Sequence, residues 1–240
     1  MNLQSLKILV IVPALNEGGN ISRTVKEILN STLPVDVLVI DDGSKDNTAE
    51  QARLAGGRVV SLPFNLGIGG AVKTGFKYAR MHGYDIAVQI DGDGQHDAAY
   101  LKDVLAPIIA NQADMVIGSR FAVANAGFQS SFSRRLGIRF FVYLINVLTG
   151  IRISDPTSGF RAYNQKLIAL FAEYYPLDFP EPEAIVVAQQ AQARIMEVPV
   201  VMRAREAGNS SIRYLKSLYY MVKVTLAILL HMIRQRGRAS

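Results

Sequence analysis

Apolar residues along this chain fall into two alternating rhythms. Short runs rich in Val, Ile and Leu lie at Leu6–Val12, Val35–Ile40, Arg58–Leu62, Ile86–Ile90 and Met115–Gly118, each bounded by Gly, Pro, Asn or Asp, and they predict strands. Stretches with helical spacing lie between them and predict helices over Asn20–Asn30, Thr48–Ala55 with Asp46 as N-cap, Gly67–Met81 and Tyr100–Ala110. Strands apolar on both faces that alternate with helices predict an α/β fold, a mostly parallel central sheet flanked by helices. Further along, Phe140–Leu148 reads as an apolar helix stopped by Thr149-Gly150.

In such sheets ligands bind beyond the carboxyl ends of the strands. The first, second and fourth predicted strands run into Pro13-Ala14-Leu15-Asn16-Glu17, Asp41-Asp42-Gly43-Ser44 and Asp91-Gly92-Asp93-Gly94-Gln95-His96, and the fifth into Gly118-Ser119-Arg120. One acidic strand end is ordinarily a turn or a helix cap. Three on one rim concentrate carboxylates whose repulsion a cation relieves. Asp91, Asp93 and Gln95 offer hard oxygen donors suited to Mg²⁺ or Mn²⁺.

Composition narrows the choices. Half of the 240 residues are hydrophobic and 19% are charged, enough apolar surface to exclude disorder as the dominant state. The absence of Cys excludes disulfide scaffolds, thiolate metal sites and thiol nucleophiles. A net charge of +6 points at first to nucleic acid or an anionic membrane, but residues 203–240 carry eight Lys and Arg against one acidic residue. The basicity therefore belongs to a tail. Between Tyr214 and Ile233 that tail is mostly apolar, interrupted by Lys216, Lys223 and His231 and followed by Arg234, Arg236 and Arg238. Its apolar runs fall short of a bilayer span, so an amphipathic helix in a membrane interface fits better; the alternative is a terminal helix packed on the protein's own core. The first apolar run, Ile8–Val12, is too short for the core of a signal peptide.

The stretch Gly67-Ile68-Gly69-Gly70-Ala71-Val72-Lys73-Thr74 fails both the phosphate-loop and the dinucleotide patterns at Val72. Its glycines suit a helix N-terminus that approaches the sheet or a ligand closely, with backbone N–H groups such as that of Gly69 available to an anion or a base. Lys73 faces phosphate or is a solvated helix lysine. His82 precedes Gly83 at a helix end, a dipole partner, and only His96 lies near the proposed chemistry. Arg120, Arg134, Arg135 and Arg139 precede the apolar Phe140–Leu148; they form either a phosphate-holding cluster at a membrane surface or the charged first turn of a core helix. Asp155-Pro156-Thr157-Ser158-Gly159-Phe160-Arg161 reads as a structured loop returning to the site.

Taken in order, Ile11–Glu17, Val39–Thr48, Asn65–Ala71, Asp91–Gln95 and Gly118–Arg120 resemble family 2 glycosyltransferases with the GT-A, Rossmann-like fold. The branch most similar is the dolichyl- or polyprenyl-phosphate sugar synthases, which share the Asp155–Arg161 segment and the late Arg205-x-x-Gly208-x-Ser210 pattern. The resemblance covers roughly residues 6–213. It implies that Pro13, Asn16, Glu17, Asp41 and Asp42 line the nucleotide's base and ribose, and that Asp91 and Asp93 are an Asp-x-Asp pair with Asp93 and Gln95 nearest the metal and donor diphosphate. It implies further that Arg205, on a loop after a strand Ile195–Val201, reaches the diphosphate, that Arg120 and Arg134 or Arg135 hold an acceptor phosphate, and that Asp155 sits near the transferred sugar. Such enzymes invert anomeric configuration by in-line displacement.

The expectation is an inverting, metal-dependent glycosyltransferase moving a sugar from a UDP- or GDP-linked donor to a polyprenyl phosphate, for cell-envelope glycan synthesis. Residues 1–211 would be the catalytic domain and residues 212–240 a peripheral anchor at the cytoplasmic membrane face, with a small membrane-protein partner as an alternative role for the tail. A saccharide or other hydroxyl acceptor would instead need a base, for which Asp155, Glu181 and Glu183 are available. A nucleotide- or nucleic-acid-binding module is the reading from another class. It is disfavoured because the tail interleaves Lys with Leu, Ile and Val where base stacking calls for exposed aromatics.

Overall fold

The computed structural model describes residues 6–121, 132–178, 180–203 and 225–226. Seven strands form one sheet among the described residues: β1 (Ile8–Ala14), β2 (Val35–Asp41), β3 (Arg58–Ser61), β4 (Ile86–Gln89), β5 (Met115–Ser119), β6 (Arg161–Asn164) and β7 (Ile195–Pro199), in the spatial order β3-β2-β1-β4-β6-β5-β7. The α-helices that flank it among the described residues are α1 (Ile21–Leu29), α2 (Thr48–Leu54), α3 (Gly67–Met81), α4 (Leu101–Ile109), α5 (Phe132–Thr149), α6 (Gln165–Glu173) and α7 (Pro180–Gln190).

β1 lies near the centre, with Val10 opposite Val37 of β2 on one side and Val88 of β4 on the other, both in parallel register. Its residues alternate between two apolar layers. Ile8, Val10 and Val12 pack with α1, α2 and α4, while Leu9 and Ile11 pack with α3, α5, α6 and α7. Both faces are covered, so the strand carries apolar residues at every position from Ile8 to Val12, each worth about 1.5–3 kcal/mol when fully buried. α3 begins at Gly67 and ends at Met81, as the pattern predicts. Gly75 lets it lie directly on Ile11 of β1, where a Cβ would collide. On that side Phe76 meets Tyr163 edge to face at 5.0 Å, and Phe171 and Tyr175 complete the aromatic layer.

The sequence pattern does not announce β6, α6 or α7, and it shortens α5, which runs on both sides of Phe140–Leu148. β6 is four residues long with Arg161 at one end and Asn164 at the other, too short and too polar at its ends to read as a strand. It runs antiparallel between β4 and β5, the one reversal in an otherwise parallel sheet. At α2 the N-cap position is Asn47, although Asp46 accepts the Thr48 N–H at 3.0 Å and so performs the capping chemistry. His82 closes α3 as expected, its Nδ1 2.9 Å from the Tyr78 carbonyl oxygen.

Strand direction sets the geometry of the site. β1, β2, β4, β5 and β7 all point their carboxyl ends to one rim, and β6, running the other way, brings its preceding segment, residues 155–160, to the same rim. Among the described residues no helix is long and apolar enough to cross a membrane. The amphipathic helix expected over 212–240 lies outside the described residues except for Thr225 and Leu226.

Candidate active site

The β1 and β2 ends are laced into one surface. Asn16, at φ 54, accepts the Lys45 N–H on its side-chain oxygen at 2.8 Å, and its own N–H donates to Ser44 Oγ at 2.9 Å. Asp41 accepts the Ser44 N–H at 3.1 Å. Asp42 accepts the Leu66 N–H at 2.7 Å, tying β2 to the entry of α3. Burial pushes the Asp42 carboxyl up, the Leu66 and Gly67 N–H groups oppose this, and the charge of Asp41 adds to the rise. Gly43, at φ +75, passes 3.0 Å from the Phe64 and Asn65 backbone as measured from an added Cβ, so only glycine turns there. Glu17 accepts from Asn20 Nδ2 at 2.8 Å. Pro13 is buried within β1, and its carbonyl accepts the Gly92 N–H at 3.2 Å. The five residues expected around a nucleotide therefore share one wall.

Gly69 and Lys73 are placed differently from one another. Gly69 is buried in the first turn of α3, and an added Cβ would collide with the Pro176 and Leu177 carbonyl oxygens. Its close approach is thus to the segment before α7. Lys73 is half-buried one turn later.

The carboxylate strip follows β4. Asp91 Oδ2 lies 3.2 Å from His96 Nε2, and His96 is buried with its ring edge-on to Phe160 at 5.4 Å. Asp91 Oδ1 is buried and has no protein hydrogen-bond partner. Burial would raise this carboxyl, but the His96 imidazole, the Gln89 amide and the charge of Arg120 outweigh it and hold it below the usual range. Asp91 is thereby kept as an anion. Asp93 accepts the Gln95 N–H at 3.0 Å, and Gln95 Nε2 donates to the Arg203 carbonyl at 3.4 Å. Among the described residues no three His, Asp or Glu side chains form a preformed metal cage. Two carboxylates and an amide, one carboxylate oxygen unclaimed by protein, suit a hard divalent cation that completes its shell with phosphate oxygens and water.

On the side of the strip away from the Asp41–Asp42 wall, at the end of β5, lies an ion pair. Asp155 is fully buried, and Arg120, 4% exposed, grips it with Nε–Oδ2 and Nη2–Oδ1 bonds of 2.6 Å while its backbone N–H donates to Oδ2 at 3.0 Å. Arg120 Nη2 also donates to Thr157 Oγ1 at 2.8 Å. Arg120 and Asp155, expected at an acceptor phosphate and near the sugar, are thus one unit. Arg161, fully buried, donates to the carbonyls of Ser158, Pro156 and Glu181 at 2.7, 2.9 and 2.7 Å, stapling the returning loop to the N-terminal turn of α7. Burial pushes the Glu181 carboxyl up to about 7; Arg161 opposes the rise and the charge of Asp91 adds to it.

Arg134 and Arg135 fall in the first turn of α5, and their side chains lie outside the described residues, as does Arg205. The chain is described as far as Arg203, which the sequence reading does not single out. Arg203 binds both Glu27 oxygens at 2.8 and 2.7 Å and Asp97 at 3.0 Å, and its N–H donates to the Gln95 carbonyl at 2.9 Å. The approach to Arg205 is therefore anchored beside the metal-candidate strip. No local pattern marks Arg203, because its partners are 106 to 176 positions away in sequence.

A family model described as Glycosyl transferase family 2 matches residues 9–171. The UDP-N-acetylglucosamine–dolichyl-phosphate N-acetylglucosaminyltransferase of Methanococcus voltae is 30% identical over 80% of this chain and 84% of its own. The undecaprenyl-phosphate mannosyltransferase of Micrococcus luteus is 30% identical over 85% of this chain and 87% of its own. Among solved structures, glucosyl-3-phosphoglycerate synthase from Mycobacterium tuberculosis, in complex with Mn²⁺, uridine diphosphate and glucosyl-3-phosphoglycerate, superposes with a TM-score of 0.73. It is 21% identical and the match covers 95% of this chain and 80% of that one, a likeness of fold.

Proposed function

The chain belongs to glycosyl transferase family 2 and is a glycosyltransferase, and from that premise we propose that it moves a sugar, with inversion, from a nucleoside-diphosphate sugar to a polyprenyl phosphate. The acceptor class follows the two relatives whose names carry a lipid phosphate. The observation that supports the reading in this chain is the strip itself. Asp91, held ionised by His96 with Oδ1 unclaimed, stands beside Asp93 and Gln95 on the rim that also carries the Asp41–Asp42 wall.

Asp91, Asp93 and Gln95 would hold Mg²⁺ or Mn²⁺. The chemistry such an ion supplies is charge neutralisation on the departing nucleoside diphosphate. Asn16, Glu17, Asp41 and Asp42 orient the base and ribose, with Pro13 beneath them, and Arg205 adds positive charge at the diphosphate. The acceptor phosphate oxygen is already anionic at neutral pH, so its attack on the anomeric carbon requires no strong base. Arg134 or Arg135, at the start of α5, would hold that phosphate, and the Arg120–Asp155 unit would form the floor beside the sugar. Residues 1–211 are the catalytic domain in this reading, and residues 212–240 a peripheral anchor at the cytoplasmic membrane face. Asp93→Ala tests the strip: metal-dependent turnover is abolished while the fold is kept, and retained turnover refutes the assignment.

One observation favours a second reading, a saccharide or other hydroxyl acceptor. Glu181, with its carboxyl at about 7 and coupled to Asp91, is poised to take a proton from an alcohol near neutral pH. Glu181→Gln separates the two, since a hydroxyl acceptor loses turnover by about 100-fold or more and a phosphate acceptor does not.

A further inference from the structure

Glu197 sits on the edge strand β7, away from the strand ends that carry the carboxylates. Its carboxylate takes three hydrogen bonds from the opposite segment: Ser154 N–H and Ser154 Oγ donate to Oε2 at 2.8 Å each, and Asp155 N–H donates to Oε1 at 2.8 Å. Ser154 Oγ is also 2.8 Å from Ser119 Oγ, and Ser119 immediately precedes Arg120. Residues 151–155 have no strand partner, so these N–H groups lack a ladder, and Glu197 is what satisfies them. Downstream of this grip lies the fully buried Asp155 carboxylate, and on it the Arg120 guanidinium, whose charge is felt at Asp91.

We propose that Glu197 is a positioning residue for sugar transfer: it fixes the backbone at Ser154 and Asp155, and through Asp155 it sets the place of Arg120 beside the carboxylate strip. Glutamate suits this task and glutamine does not. All three partners present hydrogens, and an anion accepts all of them across two oxygens. A glutamine amide turns its NH₂ toward one of those donors. The role couples the acceptor edge of the site to β7, the strand that leads directly to Arg203 and Arg205.

The inference rests on the proposed transferase reading, and its test keeps the two apart. Wild-type enzyme is first assayed with a panel of UDP- and GDP-sugars against undecaprenyl phosphate and against saccharide acceptors. Absence of lipid product there overturns the lipid acceptor alone, because Glu197→Gln, Asp155→Asn and the double variant are then read on whichever acceptor the wild type uses. Glu197→Gln is expected to lower kcat by about 10- to 100-fold. Its affinity for the nucleoside diphosphate, measured by calorimetry with Mn²⁺ present, stays within about twofold of wild type. The double variant is expected to be no worse than the poorer single one, since both act on the same pair. Glu197→Asp, which keeps the anion on a shorter stem, recovers part of the loss. A parallel fall in kcat and nucleotide affinity, additive losses in the double variant, or unchanged kcat in Glu197→Gln each overturns the role.

Discussion

Replacing Gly159 by alanine crowds the Asp91 carboxylate while neither adding nor removing a polar group. A Cβ at that position would lie 2.6 Å from Asp91 Oδ2, 2.8 Å from Oδ1 and 3.0 Å from Cγ. Ordinary contact begins near 3.4 Å, so one side must yield by about 0.8 Å, the gap between that distance and 2.6 Å. The loop resists, because Arg161 clamps the Pro156 and Ser158 carbonyls and Ser158 Oγ binds both the Gly118 carbonyl and the Phe160 N–H. The Asp91 carboxylate is the softer side, fastened on Oδ2 by the 3.2 Å bond to His96. Moving it by that amount breaks the bond and misplaces Oδ1. A displacement approaching 1 Å in a group that holds reactants costs about 100-fold in rate, while overpacking costs about 1–3 kcal/mol of stability. The assay is the initial rate of sugar transfer at saturating donor and acceptor, with urea unfolding in parallel. Gly19→Ala is the control, since an added Cβ there meets nothing within 4 Å. A folded Gly159→Ala enzyme with kcat within about threefold of wild type would refute the reasoning.

Arg120→Ala strands the buried Asp155 charge and should cost about 3–5 kcal/mol in urea unfolding; a change below 1 kcal/mol would show that the pair is dispensable. Arg134→Ala with Arg135→Ala should instead raise the KM for acceptor more than that for donor, and equal effects on both would remove these arginines from the acceptor phosphate. Glu181 binds its proton more tightly folded, at about 7, than unfolded, at 4.5. Between those values the folded state holds the extra proton, so stability falls as pH rises through the window and levels off above it, by roughly 3 kcal/mol in all. Glu181→Gln should flatten that slope when unfolding is compared at pH 5 and 8, and an unchanged slope would contradict the assignment. Deleting residues 212–240 should abolish flotation with anionic liposomes; a truncated protein that still floats would place the contact elsewhere.

The first half of the fold is legible because each element repeats one simple pattern. Ile8–Val12, Val37–Ile40 and Ile86–Val88 are apolar on both faces, since helices cover both faces of the sheet. α3 is bounded by Gly67, at positive φ, and by His82-Gly83. The second half hides for the opposite reason. Arg161 opens β6 yet is fully buried, a charge satisfied by the carbonyls of Ser158 and Pro156 in the preceding loop and by that of Glu181, twenty positions on, none of which a strand pattern announces. The site divides in the same way. Asp41, Asp42, Asp91 and Asp93 are readable at strand ends because the rim of a parallel sheet is where ligands bind. His96, five positions after Asp91, is legible there too as the histidine near the proposed chemistry. That Arg120 and Asp155 form one unit and that Arg203 and Glu197 brace the edges are contacts across 35 to 176 positions, which no local spacing encodes.

Radiolabelled product analysis shows whether sugar passes from a nucleotide-sugar to a lipid phosphate. The purified protein, residues 1–240, is incubated with undecaprenyl phosphate in detergent, Mn²⁺ and each of a panel of labelled UDP- and GDP-sugars, and the organic phase is counted. Label is expected in an acid-labile lipid carrying one sugar, with an equal amount of nucleoside diphosphate released. Label that never enters the organic phase with any donor, while a saccharide or other hydroxyl acceptor is glycosylated by the same preparation, would contradict it.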